Sequence, residues 1–170
     1  MYLILYPLLV LASLLITLVT YMLSPVLAAL AGSDGNLPRW LYWFQTFDNT
    51  IDAGWQVQGN YGTYLATGIA PTGLTLWWYR VCWLCRNPAY GWDYWPFGVG
   101  FDATQWRVFL NGANWWVALG PSGAFCVRSL AAGVSFKFGW KAWAYWQNDQ
   151  WAPASYSWGP SRRAPLCFTL

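Results

Sequence analysis

The chain has 170 residues, of which 9% are charged and 21% aromatic, with 16 tryptophans, 9 Lys or Arg against 6 acidic residues, and no His. Every acidic residue is Asp. Without His the usual Ser-His and Cys-His nucleophile systems are excluded, and the aspartates form no recognisable acid–base pair, so the composition argues against an enzyme. A net charge of +3 is too slight to call for nucleic acid as a partner.

Residues 3–31 contain no charged side chain, and the first charge is Asp34. A bilayer core about 30 Å thick needs roughly 20 helical residues at about 1.5 Å each, so the run can span with some tilt. Its best stretch is 8–30. Pro7 costs little near a helix start, whereas Pro25 removes one intrahelical hydrogen bond and is expected to kink or end the regular span. A buried core helix is one alternative, but such helices are usually shorter and seldom apolar all round. A cleaved signal peptide is the other, because Ala29-Leu30-Ala31 before Gly32 is an A-x-A pattern. The lack of Lys or Arg ahead of the run, and a length beyond the usual h-region of about 7–15 residues, favour an uncleaved anchor. Only the α-amino group precedes the span, while Arg39, Arg80 and Arg86 follow it, so the positive-inside rule predicts a cytoplasmic domain.

The organisation expected is a transmembrane anchor over 1–31, a linker over 32–38 and one aromatic-rich α+β domain over 39–170. A domain of roughly 140 residues can build its own core. With so few charges, part of its surface is expected to rest on lipid or a partner. Such a core needs no staples, so Cys82, Cys85, Cys126 and Cys167 are expected as free thiols, and paired only if the domain lies outside the cell.

In chain order, Gly32-Ser33-Asp34-Gly35-Asn36 is turn-rich. Residues 39–47 then place Trp40, Trp43, Phe44 and Phe47 at i, i+3, i+4 and i+7, which predicts a juxtamembrane amphipathic helix. Its aromatic face suits the headgroup level of a membrane, or the core. Asp48, Asn49 and Asp52 fall in a loop that lacks the spacing and terminal Glu of an EF-hand. Glycines punctuate the following stretch, which holds at most one short strand at 64–69. Residues 74–86 carry Leu74, Trp77, Trp78 and Val81 at helical spacing and predict a helix ended by Asn87-Pro88.

The C-terminal half predicts an antiparallel meander of about four strands. Runs at 105–110 and 114–119 flank Asn111-Gly112, a hairpin signal, and a third run occupies 124–129. In the fourth, Val134, Phe136, Phe138 and Trp140 alternate with Ser135, Lys137, Gly139 and Lys141, the period of a strand with one buried face. A Pro/Ser/Gly-rich loop covers 152–165, and 166–170 reads as an added edge strand. About four strands cannot close an outer-membrane barrel.

Cys82-Trp83-Leu84-Cys85 matches a redox pattern, but its first thiol falls near the end of a helix and not at the N-terminus that would activate it. A four-cysteine zinc site is disfavoured because Cys126 and Cys167 are single and distant. No phosphate-binding Gly-rich loop occurs, and no cofactor or metal is expected. Arg80, Arg86, Arg107, Lys137 and Lys141 interleave with aromatics that are better explained as core or membrane-facing rings than as nucleic-acid platforms. Exposed indoles can hold sugars or lipid headgroups on their flat faces, which favours a binding surface over a catalytic cleft.

Three stretches carry a family resemblance: residues 37–46 (LPRWLYWFQT), Asp48-Asn49 with Asp52, and residues 86–91 (RNPAYG). Together with residues 23–27 they resemble a family of small tailed-bacteriophage membrane proteins of unknown function, over roughly residues 20–91. Phe47 stands where that pattern has proline, and Ala53 where it has glycine. The resemblance implies a phage-encoded protein placed in the bacterial envelope and supplies no catalytic residues. The resulting expectation is a non-enzymatic accessory protein at the host inner membrane, with membrane lipid and a host or phage envelope protein as partners. Trp40, Trp43, Phe44 and Phe47 are the candidate membrane contacts; Asp48, Asn49, Asp52, Arg86, Asn87 and Tyr90 are the candidate partner contacts. A virion component and a thiol-based redox or zinc protein are the alternatives.

Overall fold

A computed structural model of the chain describes residues 1–46, 49–56, 69–129, 136–151 and 162–163. The fold is α+β: a long apolar N-terminal helix, a second substantial helix and a four-stranded antiparallel sheet. The chain divides into two compact units, Met1–Ser13 with Asp93–Leu170 (the sheet unit) and Leu14–Trp92 (the helical unit).

Helix α1, Tyr2–Leu30, contributes to both. It is long and apolar enough to cross a membrane, about 43 Å at 1.5 Å per residue. The helix does not end at Pro25, and the reason is local. Proline has no N–H for the carbonyl of residue 21, and the hydroxyl of Ser24 donates to that Tyr21 oxygen instead, at 3.0 Å. The helix buries Tyr6, Ser13, Thr20 and Leu27, spaced seven apart, with Ser24 and Ala28. This seam is narrow and rich in small or hydroxyl side chains, while large apolar residues of the run stay outside it.

In the sheet unit, β2 (Arg107–Asn111), β3 (Trp115–Leu119), β4 (Phe125–Ser129) and β5 (Phe136–Gly139) pair in chain order, as the meander predicts. The first turn sits further along than expected. Asn111 remains in β2 opposite Trp116, Gly112 donates to the Trp115 carbonyl at 2.8 Å, and Ala113-Asn114 form the tip. A bulge between Val108 and Leu110 absorbs the shift. Trp116 and Ala118 of β3 point inward, and Trp115 and Leu119 outward. The core joins Trp106, Ala118, Phe125, Cys126 and Trp140 to Tyr6 of α1. Gly139 ends β5 at φ +100°, where an added Cβ would strike the Phe125 carbonyl.

Two short ladders complete this unit. Strand β1 (Val99–Gly100) pairs with β8 (Arg162–Arg163), and β6 (Trp146–Gln147) with β7 (Gln150–Trp151). The β6–β7 turn is Asn148-Asp149, both at positive φ (50° and 60°), the backbone of a tight two-residue hairpin. The strands expected at 64–69 and 166–170 lie outside the described residues, apart from exposed Ile69.

The helical unit contains α2 (Ala53–Gln56) and α3 (Gly73–Arg86), followed from residue 90 by α4 (Tyr90–Tyr94). Helix α3 matches the expected span closely and stops at Asn87 before Pro88. Its Val81, Trp83 and Leu84 pack with Leu27, Ala28, Leu37, Leu41 and Ile51. Trp77 donates its indole N–H to the Pro25 carbonyl at 2.9 Å, and Cys85 Sγ lies 3.3 Å from Ser24 Oγ.

Candidate functional site

The segment expected to be an amphipathic α-helix is a shorter 3-10 helix, Arg39–Phe44. With three residues per turn, Trp40 and Trp43 eclipse on one side and Leu41 and Phe44 on another. Trp40 (73% exposed) and Trp43 (41%) face out, Leu41 is buried, and Phe44 packs against the core. The expected four-residue aromatic face therefore divides, because the tighter winding moves i+4 off the line of i. Phe47 lies outside the described residues.

Two stretches that carried the family resemblance come together here. Gly91 of α4 rests against Trp43, where a Cβ would come within 2.7 Å of the Trp43 Cα. Trp92 follows with its ring 5.3 Å from that of Trp43 and 6.3 Å from that of Phe44.

The described polar residues among those expected at a partner site do not form one patch. Asp52 is buried and accepts two hydrogen bonds from Arg80, Nε to Oδ1 at 2.6 Å and Nη2 to Oδ2 at 2.9 Å. Nη2 also donates to the Gly32 carbonyl at 3.1 Å, so one guanidinium ties α3, the Asp52 loop and the chain leaving α1. The Asp52 contact holds the Arg80 pKa above its usual value despite burial. The Asn49 carbonyl accepts from buried Gln45 and Thr46, and Gln45 in turn accepts from the Leu37 amide at 2.9 Å. Asp48 lies outside the described residues. Arg86 is exposed six residues beyond Arg80, about 9 Å further along α3. Asn87 turns its side chain back to the Trp83 carbonyl, and Tyr90 is half-buried at the start of α4.

Cys82 and Cys85 are free thiols. Both sit in the last turns of α3. Cys167 lies outside the described residues.

The sheet unit contains two features that sequence reading did not locate. Asp93 of α4 accepts a hydrogen bond from Ser13 of α1 at 2.6 Å. Burial pushes its pKa up to about 6, against the smaller opposing effects of Ser13 and Lys141.

The second is a cleft of about 230 Å³ between the β2–β3 and β6–β7 turns. Asn111 bridges the turns, its Nδ2 donating to Asp149 Oδ1 at 2.7 Å. Trp115, Trp116, Trp143 and Trp146 line the cleft with Arg128 and Asn114. Lys137 Nζ lies 3.8 Å above the Trp143 ring and Arg128 5.9 Å from it, cation–π distances. Trp116 Nε1, Trp146 Nε1 and Arg128 Nε are buried donors without a partner among the described residues. Leaving such a group unmet costs about 1–3 kcal/mol. Trp55 and Trp83 of the helical unit hold similar indole donors. In the sheet unit, by contrast, Trp106, Trp140 and Trp151 each donate to a backbone carbonyl. The signal for the cleft was Asn148-Asp149 between tryptophans, a tight-turn dipeptide whose hairpin brings Trp146 beside Trp116.

Among the described residues no cluster of three or more metal-ligating side chains occurs. No curated protein and no solved structure matches the chain. A family model does match, over residues 1–170, and the chain therefore belongs to the DUF7338 family, a family of unknown function.

Proposed function

We propose that the protein is a non-enzymatic binding module seated in the inner membrane of a bacterium by α1, and that it serves a tailed bacteriophage as an accessory protein. The observation that supports the membrane seat is the inverted polarity of α1. Ile4, Leu8, Leu11, Leu15, Leu18 and Met22 are exposed, whereas Ser13, Thr20 and Ser24 are buried. A helix in water buries its apolar stripe and exposes its polar one; the reverse suits hydrocarbon outside and protein inside.

The rest of the reading follows from chemistry already described. Trp40 and Trp43 on the 3-10 helix, with Leu74 and Trp78 exposed on α3, supply side chains for the lipid interface of the helical unit. Arg86, exposed at the end of α3, is the polar group best placed for an envelope protein of host or phage, since Asp52 is engaged by Arg80. The positive charges that follow α1 favour the cytoplasmic side for its C-terminal end. The phage setting rests on the resemblance across residues 20–91.

Alkaline extraction of bacterial membranes containing the full chain tests the seat. The protein is expected to stay with the membrane, and Leu11→Lys with Leu15→Lys to release it or prevent its accumulation there. A wild-type chain that extracts as a soluble protein would sink the proposal. Protease treatment of intact spheroplasts tests orientation: protection of the domain agrees with a cytoplasmic location, and digestion reverses it. Mass spectrometry of purified phage particles and infected-cell membranes separates an accessory protein, retained in the membranes, from a virion component.

A further inference from the structure

We infer that the tryptophan-lined cleft of the sheet unit is a saccharide-binding site, sized for one sugar ring at a time. The cleft lies within one unit, so the inference does not depend on the membrane seat of α1. At about 230 Å³ it is smaller than the roughly 300–1,000 Å³ of sites for drug-sized ligands, and suits a single ring.

Its chemistry is two-sided. Indole faces offer flat apolar surface for the C–H face of a pyranose, and they alternate with amide and charged groups suited to hydroxyls. Trp116 Nε1, Trp146 Nε1 and Arg128 Nε are donors in need of acceptors, and sugar oxygens are acceptors. Asp149 and Asn114 at the turns supply acceptors for the sugar's own O–H groups. Such reciprocity is absent from a phosphate headgroup, which offers acceptors but no O–H donors for Asp149 and Asn114. It is also absent from a planar base, because the Trp116 and Trp146 rings, 6.2 Å apart, are inclined at 45° and form no parallel slot. A chair-shaped ring meets inclined walls better than a planar one does.

The test uses the full chain in a detergent without a sugar headgroup, with saturation-transfer NMR and tryptophan fluorescence as readouts. The probes are D-glucose, D-galactose, N-acetyl-D-glucosamine and D-galacturonate, with adenosine and phosphocholine as counter-probes. Saturable binding of at least one sugar at millimolar concentration or below is expected. Asn114→Ala, an exposed side chain, and Trp146→Phe, which keeps a ring but loses the N–H, should each weaken it about tenfold, a change of about 1.4 kcal/mol. Thermal midpoints of both variants report that the fold is kept; if Trp146→Phe unfolds, Asn114→Ala decides alone. Galacturonate binding above the neutral sugars would assign Arg128 and Lys137 to a sugar acid, and the reverse order to a neutral residue; either supports the site. No binding of any sugar, unchanged binding in the folded variants, or binding of adenosine or phosphocholine alone overturns it.

Discussion

The amide of Gly139 donates to the hydroxyl of Tyr6 at 2.9 Å, fastening the end of β5 to the second turn of α1. Tyr6 meets Phe125, Phe138 and Trp140 at ring distances of 4.9 Å each, so the hydroxyl is the polar tip of a residue otherwise sunk among aromatics. Tyr6→Phe keeps the packing and strands the buried amide, for an expected loss of about 1–3 kcal/mol. Gly139→Ala adds a collision with the Phe125 carbonyl at a backbone angle that alanine resists, and should cost more. Unfolding of the detergent-solubilised chain, followed by tryptophan fluorescence, ranks the two; a Tyr6→Phe variant as stable as wild type would refute the first.

Arg80 and Asp52 should behave as one unit. Removing either partner leaves the other charge buried, with an expected loss of about 3–5 kcal/mol for Arg80→Ala or Asp52→Ala. The double variant should lose much less than the sum, because no orphaned charge remains. Additive losses in the same unfolding assay would show that the pair is not coupled.

Asp93 predicts a pH dependence of stability. Its folded pKa of about 6 lies above the ordinary 3.8, so the native state keeps a proton that the unfolded chain has already released. The stabilisation is complete below about pH 4 and is lost as pH rises through about 6, amounting to about 3 kcal/mol at most. Asp93→Asn, neutral throughout and still able to meet Ser13, should flatten this window. A wild-type profile that stays level or rises between pH 4 and 6, with the variant parallel to it, would exclude Asp93 as the cause.

The sequence made the regular elements legible and the contacts between them less so. The apolar run, the helical spacing of Leu74, Trp77, Trp78 and Val81, and the alternation around Phe136 and Phe138 are signals of period, and each corresponds to an observed helix or strand. Pro25 does not end the helix because Ser24 meets the carbonyl that proline leaves open, a compensation that a proline rule does not weigh. The aromatic run at 39–44 misled because 3-10 and α spacing share i+3, and only Phe44 at i+4 tells them apart. The ion pair of Asp52 was not legible in the sequence because its partner Arg80 is 28 residues away. The cleft escaped notice for the same reason: its walls come from β3, β4 and the β6–β7 turn, which only the folded chain assembles.

The hydroxyls along α1 have a consequence for the order of assembly. Thr20 donates to the Ile16 carbonyl at 2.8 Å and Ser24 to that of Tyr21, so both are satisfied by the helix that carries them. Such a helix can enter hydrocarbon before anything has packed against it, with no donor left bare at these positions. Ser13 differs, since its partner Asp93 arrives from eighty residues later in the chain. Ser13 therefore gains its partner only when the chain beyond residue 92 has folded, whereas Thr20 and Ser24 are met as soon as α1 forms.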